Sequence, residues 1–169
     1  LLDHGGTIIL PEFSTECHHE LELAVLIGKT GKKISTEKAL DHVAGYAVAL
    51  DLTLRDLQAE FKEKGLPWDI AKGFDTSCPL SAFVPAGQVT QPNNLKLQLK
   101  VNGKVRQQGN TAQMMRSIEE IIAEISIYFT LEPGDIILTG TPAGVAKLNR
   151  GDILEGKIEQ VGTLKVSVA

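Results

Sequence analysis

Two glutamates, Glu20 and Glu22, stand two residues apart in the run HHELELAVLIGK. In an extended chain, which advances about 3.3 Å per residue, that spacing sends both carboxylates to one side with their Cα atoms about 7 Å apart. Side chains of that length can close on one ion, and like charges held so near each other require a cation or a proton between them. A third carboxylate, Asp51, ends the next apolar run, GYAVALD. The set is all oxygen, the donor type of Mg²⁺, Mn²⁺ or Ca²⁺, and three carboxylates leave positions for water or a substrate. An exposed polar face of an edge strand is the other reading of Glu-x-Glu, but Ala24 and Leu26 continue that face and are not solvent-facing types. Cys17-His18-His19-Glu20 invites a zinc site. Neighbours on a strand alternate faces, so four consecutive residues cannot converge on one tetrahedral ion, and His19 reads as a core or supporting histidine instead.

Arg55 and Gln58 follow Asp51 closely and lie about one helical turn apart, so both can face whatever the carboxylates bind. The guanidinium offers a planar fork suited to a substrate carboxylate, and the glutamine offers an amide. A solvated helix face shared with Lys62 is the plainer alternative. Lys72 lies between Trp68 and Phe74 in PWDIAKGFD, a setting that could partly desolvate an amine and hold it at a site. The stretch from Gly140 to Gly144, GTPAG, is glycine-rich but lacks the Gly-Lys-Ser/Thr ending of a phosphate loop. No nucleophile elbow or Ser-His-Asp order is visible.

The elements that must position these groups are mostly strands. The alternation from His18 to Lys29 predicts one long strand, with a second from Gly45 to Asp51 and a short helix over Thr36 to Val43 between them. Thr53, with Asp56 three residues on, reads as the N-cap of a helix that Gly65 stops, with Leu54, Leu57 and Phe61 as its apolar stripe. LKLQLKV and KVRQQ flank Asn102-Gly103, the preferred type I′ hairpin turn. Ser117 and Glu120 form a capping box for a helix with the stripe Ile118, Ile121, Ile122, Ile125 and Phe129. A turn at Glu132 to Asp135 leads to the strand IILT, and Asp152 to Val168 supplies at least two more strands. The fold class expected is mixed α/β, mainly β and mostly antiparallel, with a few flanking helices.

The chain of 169 residues is of single-domain size and can bury a sizeable core. With 43% hydrophobic and 22% charged residues, disordered and fibrous classes are excluded. No apolar run approaches the ~18 residues of a membrane span, so no membrane partner is expected. Seventeen basic against 21 acidic residues give a net charge of −4, and no basic cluster interleaves with aromatics, so a nucleic-acid partner is not expected either. An anionic substrate therefore needs a local cation. Two cysteines, Cys17 and Cys78, are too few for a disulfide framework and suggest a reducing compartment. The chain opens Leu1-Leu2-Asp3, without an initiator Met, so an N-terminal portion is expected to be missing.

Taken together, HHELELAVLIGK, GYAVALDLTLRDLQ, GLPWDIAKGFD, LKLQLKVNGKVRQQG and GDIILTGTPAGV resemble the fumarylacetoacetate hydrolase superfamily, in particular its small acylpyruvase and oxaloacetate decarboxylase members. The resemblance runs from Ile8 onward, with all five motifs in order. It implies a C-terminal-domain-like β-roll, assembled as a homodimer. It also implies that Glu20, Glu22 and Asp51 hold a divalent metal, Mg²⁺ or alternatively Mn²⁺. Arg55, Gln58, Lys72, Gly140 and Thr141 match the family positions that hold the α-keto acid end of the substrate. A bacterial source would imply a cytoplasmic enzyme, and a eukaryotic one a mitochondrial enzyme.

Members usually carry, upstream of the metal pair, a His-x-x-Glu dyad on a mobile lid that activates water. His4 is followed three residues later by Thr7, not Glu, and His18, His19 and His42 lie in other segments. Residues 1–169 are therefore expected to form the catalytic domain without its lid segment. The activity implied is metal-dependent C–C cleavage of small 2-oxo acids through a stabilised enolate, by acylpyruvate hydrolysis or oxaloacetate decarboxylation. Lys72 is the catalytic candidate, adding positive charge at the developing oxyanion. One alternative is a 2-hydroxyhepta-2,4-diene-1,7-dioate isomerase or a related hydratase or decarboxylase of aromatic catabolism. Another, of a different class, is a non-catalytic protein that binds a keto acid or oxalate through the metal.

Overall fold

The computed structural model describes residues 1–169. Fourteen short strands form three sheets, and the site residues sit where two of the sheets meet. In chain order the first strands are β1 (Leu2–Asp3), β2 (Thr7–Ile8), β3 (Cys17–His19) and β4 (Leu21–Ile27). A 3₁₀ segment, Thr36–His42, takes the place of the expected short helix and leads into β5 (Val43–Leu50) and β6 (Thr53–Leu54). Helices α1 (Arg55–Lys64) and α2 (Asp69–Lys72) follow, then β7 (Pro79–Leu80) and β8 (Val84–Pro85). The hairpin β9 (Lys96–Val101) and β10 (Lys104–Asn110) precedes helix α3 (Ile118–Tyr128). The chain ends with β11 (Ile136–Leu138), β12 (Ala146–Lys147), β13 (Ile153–Ile158) and β14 (Gly162–Val168).

The first sheet runs β1-β7-β5-β4-β11 with β8 on β5, the second runs β10-β9-β13-β14-β2, and the third is the small set β12-β3-β6. Pairing is antiparallel except for β1 on β7 and β2 on β14. Leu21, Leu23 and Val25 of β4 and Val48 and Leu50 of β5 face the second sheet, where Leu99, Leu154 and Leu164 meet them in one apolar core. The two sheets approach closely at Gly156, where a Cβ would sit 2.8 Å from Leu21 Cδ1. No helix is long and apolar enough to cross a membrane.

Local signals explain most elements. Asn102 and Gly103 have φ of 52° and 76°, the left-handed pair a type I′ turn needs. Ser117 and Glu120 make the reciprocal capping box at the start of α3. Gly65 closes α1 in the left-handed conformation.

Three expectations need correction. The run from His18 to Lys29 is not one strand: β3 pairs with β6 and β4 with β5, so the chain changes sheets at Glu20. Thr53 is not an N-cap, because its pairing with His18 keeps it extended; α1 begins after Leu54, without a side-chain cap, and Asp56 binds Ser14 and Thr15 instead. Phe129 leaves the α3 stripe because the helix ends at Tyr128, and its ring is 66% exposed.

Candidate active site

The change of sheet at Glu20 builds the site. The partner segment makes the same step: β5 ends at Leu50, β6 begins at Thr53, and the Asp51 N–H donates to the Glu20 carbonyl over 2.8 Å. Two of the three carboxylates are thus joined by main chain at one junction. Glu22 lies one pleat further along β4, opposite Ala49, with the Ala24 and Ala47 pair beyond it. These small side chains pack with Leu80 in a second, smaller apolar cluster. One oxygen from each of Glu20, Glu22 and Asp51 lies within 4.8 Å of the others.

Two cations face this cluster. Buried Ala71 anchors α2, and Lys72 at its end places Nζ 2.6 Å from Asp51 Oδ2 and 2.9 Å from Glu20 Oε2. Arg55, the first residue of α1, bonds Glu20 Oε1 through Nη2 and donates from Nη1 to Gln58 Oε1 over 2.8 Å. Glu20 therefore has both oxygens taken. Burial raises its carboxyl, but Lys72 and Arg55 outweigh burial and hold it below the usual carboxylate range. Asp51 stays raised, because burial and the charge of Glu20 exceed what Lys72 returns. Lys72 itself is lifted, its partial burial being overridden by Asp51 and Glu20.

Glu22 is the exception. It is 3% exposed and accepts one hydrogen bond, from the Gly140 N–H at 2.6 Å. Burial, with the Asp51 and Glu20 charges adding to it, pushes its carboxyl up to about 7. Three carboxylates against two cations leave a negative charge uncompensated beside an all-oxygen donor set. A divalent cation fits that deficit.

The fourth side of the site is the turn after β11. Thr139 Oγ1 donates to the Leu23 carbonyl and Thr141 Oγ1 to the Leu21 carbonyl, so the turn is stitched along β4 beside Glu22. Gly140 has φ of +97° in this turn. All eight residues singled out in the sequence (Glu20, Glu22, Asp51, Arg55, Gln58, Lys72, Gly140 and Thr141) therefore surround one junction. The histidines do not join them. His4 accepts from the Lys165 N–H, His42 faces the Lys29 carbonyl, and His18 pairs with Glu16. His19 is buried, with Nδ1 2.9 Å from Gln107 Oε1. Cys17 is in the core and is not part of the carboxylate cluster. Gln107, 1% exposed and bonded to Leu21 and Thr141, escaped the sequence reading. Its one signal is a polar residue in a strand, and only the β-bulge between Val105 and Gln107 turns it inward. A cavity of about 420 Å³ touches the same turn, lined by Leu23, Leu97, Met114, Ile121 and Thr141 among others, but not by the carboxylates or Lys72.

Residues 1–169 match the family model described as fumarylacetoacetate (FAA) hydrolase C-terminal. The chain belongs to the fumarylacetoacetate hydrolase family. It is 51% identical over 164 residues to the Bos taurus protein named oxaloacetate tautomerase FAHD1, mitochondrial, covering 97% of this chain and 74% of that one. It is 44% identical over 163 residues to the oxaloacetate decarboxylase, mitochondrial, of Dictyostelium discoideum, covering 96% and 75%. Among solved structures it superposes with a TM-score of 0.96 and 40% identity on the fumarylpyruvate hydrolase from Pseudomonas aeruginosa in complex with Mn²⁺ and pyruvate, covering 99% of this chain and 73% of that one. The family resemblance and the mainly β fold expected from the motifs are thus borne out, and the chain is a fumarylacetoacetate hydrolase-family enzyme. A family neighbour holds Mn²⁺, and the three carboxylates of this chain could hold a divalent ion.

Proposed function

We propose that this fumarylacetoacetate hydrolase-family chain acts on short 2-oxo acids, oxaloacetate foremost, with Mg²⁺ or Mn²⁺ held by Glu20, Glu22 and Asp51. The observation that carries the reading is Lys72 clamped between Asp51 and Glu20 beside the uncompensated Glu22. It supplies a fixed ammonium and a divalent-cation site in one place. The cation, when bound, supplies Lewis acidity toward an α-keto carboxylate. The chain does the rest. Arg55, braced by Gln58, and the Gly140-Thr141 turn orient the substrate's carboxylates. Lys72 offers its positive charge where negative charge develops on the keto oxygen as the bond at C3 breaks. The names of the bovine and Dictyostelium relatives, and pyruvate in the Pseudomonas structure, support this substrate class.

Loss of CO₂ from oxaloacetate needs an electron sink, and keto–enol interconversion adds a proton transfer at C3. Hydrolysis of an acylpyruvate also needs an activated water. The names of the bovine and Dictyostelium relatives favour oxaloacetate tautomerisation or decarboxylation over acylpyruvate hydrolysis. The test uses chelator-stripped protein reloaded with Mg²⁺ or Mn²⁺, following enol absorbance and pyruvate formation against a metal-only background. Metal-dependent turnover of oxaloacetate above that background, slower turnover of acetylpyruvate, and loss of both in Glu22→Gln are expected. Unchanged turnover in Glu22→Gln overturns the assignment.

A further inference from the structure

Gln107 uses all of its hydrogen-bonding capacity inside the protein. Oε1 lies 2.9 Å from His19 Nδ1 and accepts from the Leu21 N–H over 3.1 Å, while Nε2 donates to Thr141 Oγ1 at 2.8 Å and to the Pro142 carbonyl at 2.9 Å. The orientation of this amide is dictated by the backbone. The N–H of Leu21 can only donate and the carbonyl of Pro142 can only accept, so oxygen must face Leu21 and nitrogen must face Pro142. Two consequences follow. His19 must carry its proton on Nδ1 to donate to Oε1, which fixes its tautomer. Thr141 accepts from Gln107, so its own proton goes to the Leu21 carbonyl, 2.8 Å away. The N–H and the carbonyl of Leu21, the residue between Glu20 and Glu22, are thereby both tied to the Gly140-Thr141-Pro142 turn, the first through Gln107 and the second by Thr141 directly. The hydroxyl proton of Thr141 is committed, and what remains free on that residue is its backbone N–H, which has no partner within the chain.

The surrounding backbone is shaped for this contact. The bulge before Gln107 aims it inward. Gly144, at φ +103°, lies so close to β10 that a Cβ there would collide with the Arg106 carbonyl, and Gly109 leaves Pro142 only 3.1 Å from where its Cβ would be.

We propose that Gln107 is a positioning residue: it locks the Gly140-Thr141-Pro142 turn to the start of β4 at Leu21, between Glu20 and Glu22, so that the turn meets the substrate carboxylate with its backbone rather than with the Thr141 hydroxyl. The inference rests on the proposed 2-oxo acid chemistry at this site. Gln107→Met removes all four bonds at similar volume. Gln107→Glu keeps both acceptor bonds and removes the two donated to the turn. Because both lose the Nε2 donor, both are expected to raise KM for oxaloacetate about tenfold, with kcat and the Mn²⁺ Kd changed less than about threefold. A merely structural role would lower Tm, more in Gln107→Met, and leave KM alone. A folded variant with wild-type KM, or with Mn²⁺ binding lost in parallel, overturns the proposal. If neither variant folds, the wild type decides by ¹⁵N-glutamine NMR. The slowly exchanging side-chain amide must shift when pyruvate is added to the Mg²⁺-loaded protein, and no shift overturns the proposal. Glu22→Gln on the same assay tests the underlying chemistry separately, so failure there is not confused with failure at Gln107.

Discussion

The backbone N–H of Gly140 lies 2.6 Å from Oε2 of Glu22, and that buried carboxylate has no other hydrogen-bond partner. An ionised group with so little compensation costs stability without a cation and binds one strongly. Glu22→Gln should therefore move two readouts in opposite directions. Mn²⁺ affinity should fall by about 100-fold or more, since even supporting residues of metal sites are worth roughly 10–100-fold. The Tm of the metal-free protein should rise, by about 2–4 °C if the gain is about 1 kcal/mol. Calorimetric titration and thermal melts in chelator check both, and a lower metal-free Tm would show that Glu22 is compensated by something other than a cation.

The same carboxylate sets a pH dependence. In the folded protein burial holds it at about 7, against an ordinary value of 4.5. Between those values the folded chain binds a proton that the unfolded chain has lost. The contribution of Glu22 to stability is thus fully present below pH 4.5 and is lost as pH rises through about 7. Asp51, raised by burial, acts in the same direction. Metal binding must expel the Glu22 proton, so Mn²⁺ uptake at about pH 6 should release close to one proton more per ion than at about pH 8. Calorimetry in two buffers of different ionisation enthalpy counts these protons. Equal release at both pH values would mean Glu22 is already ionised.

Lys72 competes with the proposed metal for the oxygens of Asp51 and Glu20, at 2.6 and 2.9 Å. Lys72→Met should consequently tighten Mn²⁺ binding, by a factor of roughly 3–10 for one nearby charge at partial exposure. Turnover should move the other way, with kcat falling about 10²–10³-fold, as when an oxyanion donor is lost. Tight metal binding with little turnover separates the charge role of Lys72 from a structural one. Weakened metal binding in this variant would argue that Lys72 mainly holds Asp51 and Glu20 in place.

The carboxylates were legible because Glu-x-Glu is a local spacing, and their oxygens converge even though the chain changes sheets at Glu20. The Asn102-Gly103 hairpin and the Ser117 capping box were legible for the same reason, each being a local bond pattern that needs no distant partner. The break at Glu20 was not. The apolar alternation continues through His19, Leu21 and Leu23, and only the partners differ, Thr53 for His18 and Leu50 for Leu21. Thr53 misled for a related reason, since its spacing to Asp56 fits a cap but its pairing with His18 holds it in a strand. Gln107 was illegible because Gln107 and Gln108 are equivalent on paper. A one-residue bulge decides which of them is buried.

Gly144 and Gly134 allow that bulge's contact with the turn to be separated from backbone strain. Both are left-handed, at φ +103° and +101°, so alanine at either position carries a similar conformational penalty of about 1–2 kcal/mol. They differ in surroundings. A Cβ at Gly134 meets nothing within 4 Å, whereas at Gly144 it runs into the carbonyl of Arg106, which is backbone and cannot rotate away. Gly134→Ala should lower Tm modestly and leave kinetics unchanged, because the Glu132–Asp135 turn is remote from the carboxylates in its bonding. Gly144→Ala must push the GTPAG turn off β10, stretching the bonds from Gln107 to Thr141 and Pro142. It should cost more stability, about 2–4 kcal/mol in total, and raise KM for oxaloacetate with Mn²⁺ affinity retained. Equal effects of the two substitutions on KM would mean that the seat of the turn on β10 does not govern how it meets the substrate.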